Sequence, residues 1–204
     1  MFDFLNKTIA REHHEIFNTV RAAKDLRKQI GDTDCVYVCI GTDRATGDCL
    51  GPLVGSFLER YGISHVYGTL DEPVHAKNIH EVIDIISKKH EGCKVIAIDA
   101  CLSRLSDVGY INIEKKSIEP GSGINKELPE IGDISITGNV NISGFMELMI
   151  IQNTRLSLVM NMARKIAQTI LQFSISPCTE VAVTKLIESE VEPCEKILEV
   201  PLPF

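Results

Sequence analysis

The stretch CVYVCIGTDRATGDCLGPLVGSFLERYG, residues 35–62, decides the fold. Its opening CVYVCIG is an unbroken run of β-branched, aromatic and thiol side chains, the pattern of a strand buried on both faces. From Asp48 the apolar spacing becomes helical, with Asp48 at the cap and Gly62 as the exit. Strand, glycine-rich turn and helix together make the first unit of a parallel α/β sheet. Gly41, Gly47, Gly51 and Gly55 match neither the G-x-G-x-x-G fingerprint nor a loop ending in Gly-Lys-Ser/Thr, so the turn does not read as a phosphate cradle.

The same alternation extends outward. HVYGTL (65–70) reads as a second strand, residues 76–89 as a helix, and CKVIAIDA (93–100) as a third strand that delivers Asp99 at its end. VGYINIEKKSI (108–118) is an amphipathic strand leading into the loop EPGSGINKELPEIG (119–132). DISITGNV (133–140) is a further strand, and residues 143–173 form a long buried helix. Upstream, Leu5, Ile9, Ile16, Val20, Ala23, Leu26 and Ile30 keep helical spacing and predict a helix over residues 2–30. The residues after about 177, rich in proline, read as a tail. No repeat or linker divides the 204 residues, so the expectation is a single domain of three layers, α/β/α, around a mostly parallel sheet.

Composition excludes several functions. The formal net charge is −7 and the 21 Lys and Arg are scattered, so the basic stripe of a nucleic-acid binder is missing. The N-terminal residues lack the continuous apolar core of a signal peptide. Residues 143–173 are interrupted by Gln152, Asn153, Arg155, Asn161, Arg164, Lys165 and Gln168, too often for a membrane span. Seven Cys without a C-x-x-C pair suit neither a disulfide framework nor a zinc finger, and read as reduced core thiols. A cytoplasmic protein with no nucleic-acid or membrane partner is expected; the sequence is silent on whether it forms a homo-oligomer.

In open parallel sheets, ligands sit beyond the carboxyl ends of the strands. The charges gather there: Asp43 and Asp48 after the first strand, Asp71, Glu72 and His75 after the second, and Asp99 at the third. If the first and third strands are neighbours, Asp48 and Asp99 approach across one cleft. Two close carboxylates cannot both ionise cheaply, so they share a proton or a cation bridges them, and either arrangement activates water. Taken singly, Asp48 also fits a plain helix cap, and Asp43 a turn residue or local ion pair. Cys49 and Cys101 flank the two aspartates and read as small core residues rather than nucleophiles.

The blocks IGTDRATGDCLGPLVG, GTLDEPVHA, VIAIDACLS, PGSGINKELPEIGDISITG and NISGFMELMIIQNTRLSLVMNMA, in this order over residues 35–173, resemble the YyaC family of sporulation proteins. That family is similar to the spore germination protease and, more remotely, to the hydrogenase maturation endopeptidases, which implies a phosphorylase/hydrolase-like α/β fold. By this resemblance Asp48 of GDCLGP and Asp99 of IAIDA match the catalytic aspartate pair, and Lys126 lies in a loop shared with the germination protease. The resemblance thus implies a peptidase-like hydrolase acting on a protein or peptide in the cytoplasm of a spore-forming cell. Gly41, Thr42, Asp43, Gly47, Glu72, His75 and Lys126 would line the substrate cleft, with glycine clearing space for a substrate backbone. The nickel ligands of the maturation enzymes fall on Asp48 and Asp99, but their later histidine has no counterpart in the C-terminal half. No cofactor is therefore expected, unless His75 joins Asp48 and Asp99 around a divalent metal. A catalytically silent descendant that binds a partner through the same cleft is the alternative.

Overall fold

The computed structural model describes residues 18–31, 33–120 and 128–175. Its elements are α1 (Thr19–Ile30), β1 (Cys35–Cys39), α2 (Leu50–Arg60), β2 (Val66–Tyr67), α3 (Ile79–Lys89), β3 (Lys94–Ser103), a short turn of 3₁₀ helix (Leu105–Asp107), β4 (Ile111–Glu114), β5 (Ile134–Ile142), α4 (Glu147–Gln152) and α5 (Leu156–Ser174). The five strands lie in the order β2-β1-β3-β5-β4. All neighbours are parallel except β4, which runs against β5. The expected mostly parallel α/β sheet is therefore present.

Strand alternation divides the core in two. Tyr37, Cys39, Ile96, Ile98, Ile134 and Ile136 face one side, where Leu26 of α1, Leu50, Val54 and Leu58 of α2, and Val159, Ile166 and Ile170 of α5 cover them. Val36, Val38, Ile40 and Ala97 face the other side and meet Val74 together with Ile79, Val82 and Ile86 of α3. Helices on both faces complete the three layers.

Four sequence expectations need correction or restriction. The N-terminal helix is described from Thr19, and its expected residues 2–17 lie outside the described residues, as does the tail. The second strand is confined to Val66–Tyr67, because Gly68 turns away with φ 96°. Asp99 does not end β3, which continues four residues to Ser103, since the long β5 supplies partners up to Ile142. The long helix is two helices. In a continuous helix the Ile151 carbonyl would accept the Arg155 N–H, but it is occupied by the Gly47 N–H at 2.8 Å. Asn141 Nδ2 adds bonds to Thr154 Oγ1 at 3.2 Å and to the Ile150 carbonyl at 3.3 Å, so the break is fixed by contacts from distant strands and turns.

Candidate functional site

Three segments meet at the carboxyl edge of β1. The turn Gly41–Cys49 leaves β1 and leads into α2, and the chain after β2 returns to the same edge through a parallel bridge between Val74 and Ile40. Gly41 N–H donates to the Val74 carbonyl at 2.8 Å, tying the two segments together. β3 lies beside β1 in register, with Cys39 opposite Ile98, so Asp99 stands one step beyond the last residue of β1. Asp99 is thus an edge residue relative to β1, although its own strand runs on.

Asp48 is not the helix cap. The N-cap of α2 is Cys49, which makes no side-chain cap bond; its thiol donates instead to the Thr46 carbonyl at 2.9 Å. The Asp48 carboxyl is left facing the turn, half-buried, and burial raises its pKa. The Thr42 backbone N–H and the nearby His75 ring oppose that rise by favouring the ionised form. Asp99 keeps part of its surface open, yet burial raises its pKa well above the ordinary carboxyl value. The negative charge of Asp48 raises it further, against the Ala100 N–H that donates to Asp99 Oδ1 at 2.8 Å. The ordering follows: Asp99 holds a proton while Asp48 ionises. Burial and Asp48 do not act equally on the pair, because by the pH at which Asp48 titrates its partner is already neutral.

The glycines do a different job from the one expected. A Cβ at Gly41 would lie 2.0 Å from the Asp48 carbonyl oxygen, at Gly47 2.7 Å from Ile151 Cγ1, and at Gly51 2.0 Å from the Ile40 carbonyl oxygen. The space vacated is filled by the chain itself, not held open for a substrate backbone. These glycines bring the start of α2 down onto the end of β1, and that contact places Asp48.

The remaining site residues are distributed around this pair. Asp43 is exposed and forms no ion pair with Arg44; it sits in a turn where Thr42 Oγ1 lies 3.4 Å from its Oδ1. Glu72 is exposed in a turn closed by its N–H on Thr69 Oγ1 at 3.0 Å. His75 is half-buried, with its backbone N–H held by Asn78 Oδ1 at 2.8 Å, close enough to act on Asp48. Lys126 lies outside the described residues. Among the described residues no group of three or more His, Cys, Asp or Glu side chains is placed to hold a metal ion. Asp48, Asp99 and His75 do not form such a set. The described cysteines are free thiols, with Cys39 and Cys49 buried.

Sequence reasoning missed the polar surroundings of Asp99. Thr137 of β5 stands directly opposite Asp99, Asn139 opposite Cys101, and Asn112 of β4 opposite Thr137. Two asparagines in consecutive alternate positions of a buried strand, Asn139 and Asn141, were the available signal, since asparagine is disfavoured in strands. Thr154 and Asn141, which hold α4 against the Asp48 turn, were likewise hidden.

This fold and paired-carboxyl edge can be set beside known proteins. A family model described as "Protein of unknown function (DUF1256)" matches residues 7–169, and the chain belongs to that family. The Bacillus subtilis (strain 168) protein described as "Uncharacterized protein YyaC" is 53% identical over 148 residues, covering 72% of this chain and 72% of that protein, so the YyaC resemblance holds. Among solved structures, the [NiFe] hydrogenase maturation protease HycI from Thermococcus kodakarensis KOD1 aligns with a TM-score of 0.48 at 16% identity, over 70% of this chain and 93% of that one. Among the described residues no helix is long and apolar enough to cross a membrane.

Proposed function

We propose that the chain is a peptidase-like hydrolase of spore-forming cells, acting in the cytoplasm on a protein or peptide, with Asp48 and Asp99 as its catalytic residues. The observation that carries this reading is the asymmetry of the pair at the β1–β3 edge: burial raises both carboxyls, but Asp48 raises Asp99 further, whereas the Thr42 N–H and His75 oppose the rise at Asp48. One carboxyl that holds its proton longer than the other is the division into acid and base that amide hydrolysis needs. Asp48, ionised, takes a proton from a water molecule as its oxygen attacks the scissile carbonyl carbon. Asp99 gives its proton to the carbonyl oxygen, and a tetrahedral diol forms. The proton held by Asp48 then passes to the leaving nitrogen as the C–N bond breaks, and Asp99 recovers a proton from the collapsing diol. Thr42, Asp43, Glu72 and His75 border the space in which this occurs. The test is cleavage of small acid-soluble spore proteins and of a peptide library by wild type, Asp48→Asn and Asp99→Asn. Loss of cleavage in both variants is expected; three proteins that behave alike would overturn the reading.

A second reading is favoured by one observation. Phe145, Leu148 and Met149 are 93%, 58% and 52% exposed on the α4 segment, whose Ile151 holds the Asp48 turn. Apolar surface so close to the edge suits a bound protein partner. A stable uncleaved partner that still binds both Asn variants would favour this silent role.

A further inference from the structure

β4 is the last strand of the sheet, and one of its edges is open. The phase of its ladder is fixed at its start, where the Gly109 N–H donates to the Asn139 carbonyl at 2.8 Å and the Asn139 N–H to the Tyr110 carbonyl at 3.0 Å. Tyr110 therefore turns its carbonyl towards β5, and by the two-residue period Asn112 and Glu114 turn their backbone groups the same way. The N–H and C=O groups of Ile111 and Ile113 point away from β5. Among the described residues none of these four groups has a hydrogen-bond partner.

A groove of about 530 Å³ runs beside that edge. Its floor is Ile111 and Ile113, whose side chains belong to the face that α1 covers, and its wall is the outer flank of α1 through Arg21, Ala22, Asp25 and Lys28. Residues directly opposite each other in an antiparallel pair put their side chains on the same face. A strand laid on the open edge would thus pair its backbone with Ile111 and Ile113 and send every second side chain into this groove. Asp25 is partnered by Lys28 at 3.5 Å, while the Arg21 guanidinium has no ion pair among the described residues. The wall is therefore net cationic on a chain whose formal net charge is −7.

We propose that this edge and groove are a docking site for the chain's own segment TEVAVTKLI, residues 179–187, added antiparallel to β4 as a sixth strand with Val181 opposite Ile113 and Val183 opposite Ile111. Five of its nine residues are β-branched and none is proline, whereas the other terminal segment, residues 2–17, keeps a helical period. The segment also starts in the right place. Thr154, just before α5, is bonded to Asn141 near the carboxyl end of β5, so α5 runs back to the other end of the sheet, where Glu114 stands opposite Ser135. There Arg27 of α1 holds the Ile175 carbonyl at 2.9 Å, beside Lys28 at the mouth of the groove. Passing round half of α1, about 10 Å across, takes roughly 16 Å, which the five residues 176–180 span when extended. A chain arriving from this end runs against β4, the sense an antiparallel addition requires. Residues 176–204 hold six Glu and two Lys, opposite in sign to the wall. A second copy docked edge to edge would set the same cationic wall against itself.

The test is amide hydrogen exchange of the full chain, read by NMR at Ile111 and Ile113, with Ile96 and Ile98 of β3 reporting global opening. In wild type the two edge amides should be protected, and equally so when the protein is diluted. Val183→Pro removes the N–H that would meet the Ile111 carbonyl, so exchange at both edge amides should speed up by about tenfold or more while Ile96 and Ile98 stay unchanged. Val183→Ile should keep the protection. Edge amides that exchange freely in wild type, or that stay protected in Val183→Pro, would overturn the inference. Protection that is lost on dilution would overturn it too, by giving the edge to a second copy. None of these measurements involves Asp48, Asp99 or a substrate, so absence of hydrolysis would defeat the proposed function without touching this result, and the reverse holds equally.

Discussion

A Cβ added at Gly41 would sit 2.0 Å from the carbonyl oxygen of Asp48, so the missing side chain of one residue determines where the other stands. Gly41 also has φ 142°, a conformation that L side chains rarely adopt. Gly41→Ala is therefore penalised twice, by strain and by collision with backbone that has nowhere to go. The expected loss is about 2 kcal/mol or more in urea unfolding, accompanied by a downward move of the Asp99 titration midpoint, read by carboxyl ¹³C NMR, as Asp48 is displaced. A Gly41→Ala chain with wild-type stability and midpoint would show that the turn is not held by this contact.

The first half of the site was legible for local reasons. The run Val36–Ile40 and the run Val95–Ile98 are apolar on both faces, which only a covered parallel strand explains, and the helical period after Asp48 is strong. The sequence alone does not pair β1 with β3; the register does. What stayed hidden depended on contacts remote in sequence. The break at Thr154 arises because Gly47 takes the Ile151 carbonyl, and no local propensity marks that residue as a helix end. Glycines that admit a ligand and glycines that admit the chain's own backbone look identical as letters. Thr137 is an ordinary strand former by composition, and its place opposite Asp99 follows only from the register of β5.

Arg27 ties the first helix to the end of the last. Its Nη2 donates to the carbonyls of Gln172, Phe173 and Ile175 at 2.8, 2.9 and 2.9 Å, satisfying groups that the terminus of α5 cannot satisfy itself. Arg27→Met keeps the aliphatic stem and removes only these bonds. Because the side chain is half-buried, a loss near the lower end for charged hydrogen bonds is expected, about 1.5 kcal/mol. Equilibrium urea unfolding of the full chain reads it, and an unchanged midpoint would mean that solvent replaces the guanidinium at no cost.

Met146 precedes α4 in the left-handed conformation, φ 68° and ψ 43°, with its side chain 55% exposed. A side chain that packs this little offsets little of the strain. Met146→Gly should raise stability by about 0.5 kcal/mol, the relief of the left-handed backbone less the greater freedom of glycine in the unfolded chain. A thermal unfolding midpoint that falls would indicate that the exposed methionine contributes contacts outweighing its strain.

Asp99 makes the fold less stable than it could be, and the sign of its pH dependence follows. Its folded pKa lies above its unfolded value, so between the two the native state binds more protons and stability falls as pH rises. The contribution is intact below the ordinary carboxyl range, near 3.8, and is lost as pH passes through the raised folded value. Each unit of that displacement corresponds to about 1.4 kcal/mol. Asp99→Asn keeps an oxygen for the Ala100 N–H and carries no charge, so it should unfold at higher urea than wild type at neutral pH, and the two should converge towards pH 4. Stability that rose with pH in wild type relative to Asp99→Asn would mean the carboxylate is stabilised in the native state, and would remove the acid from the proposed pair.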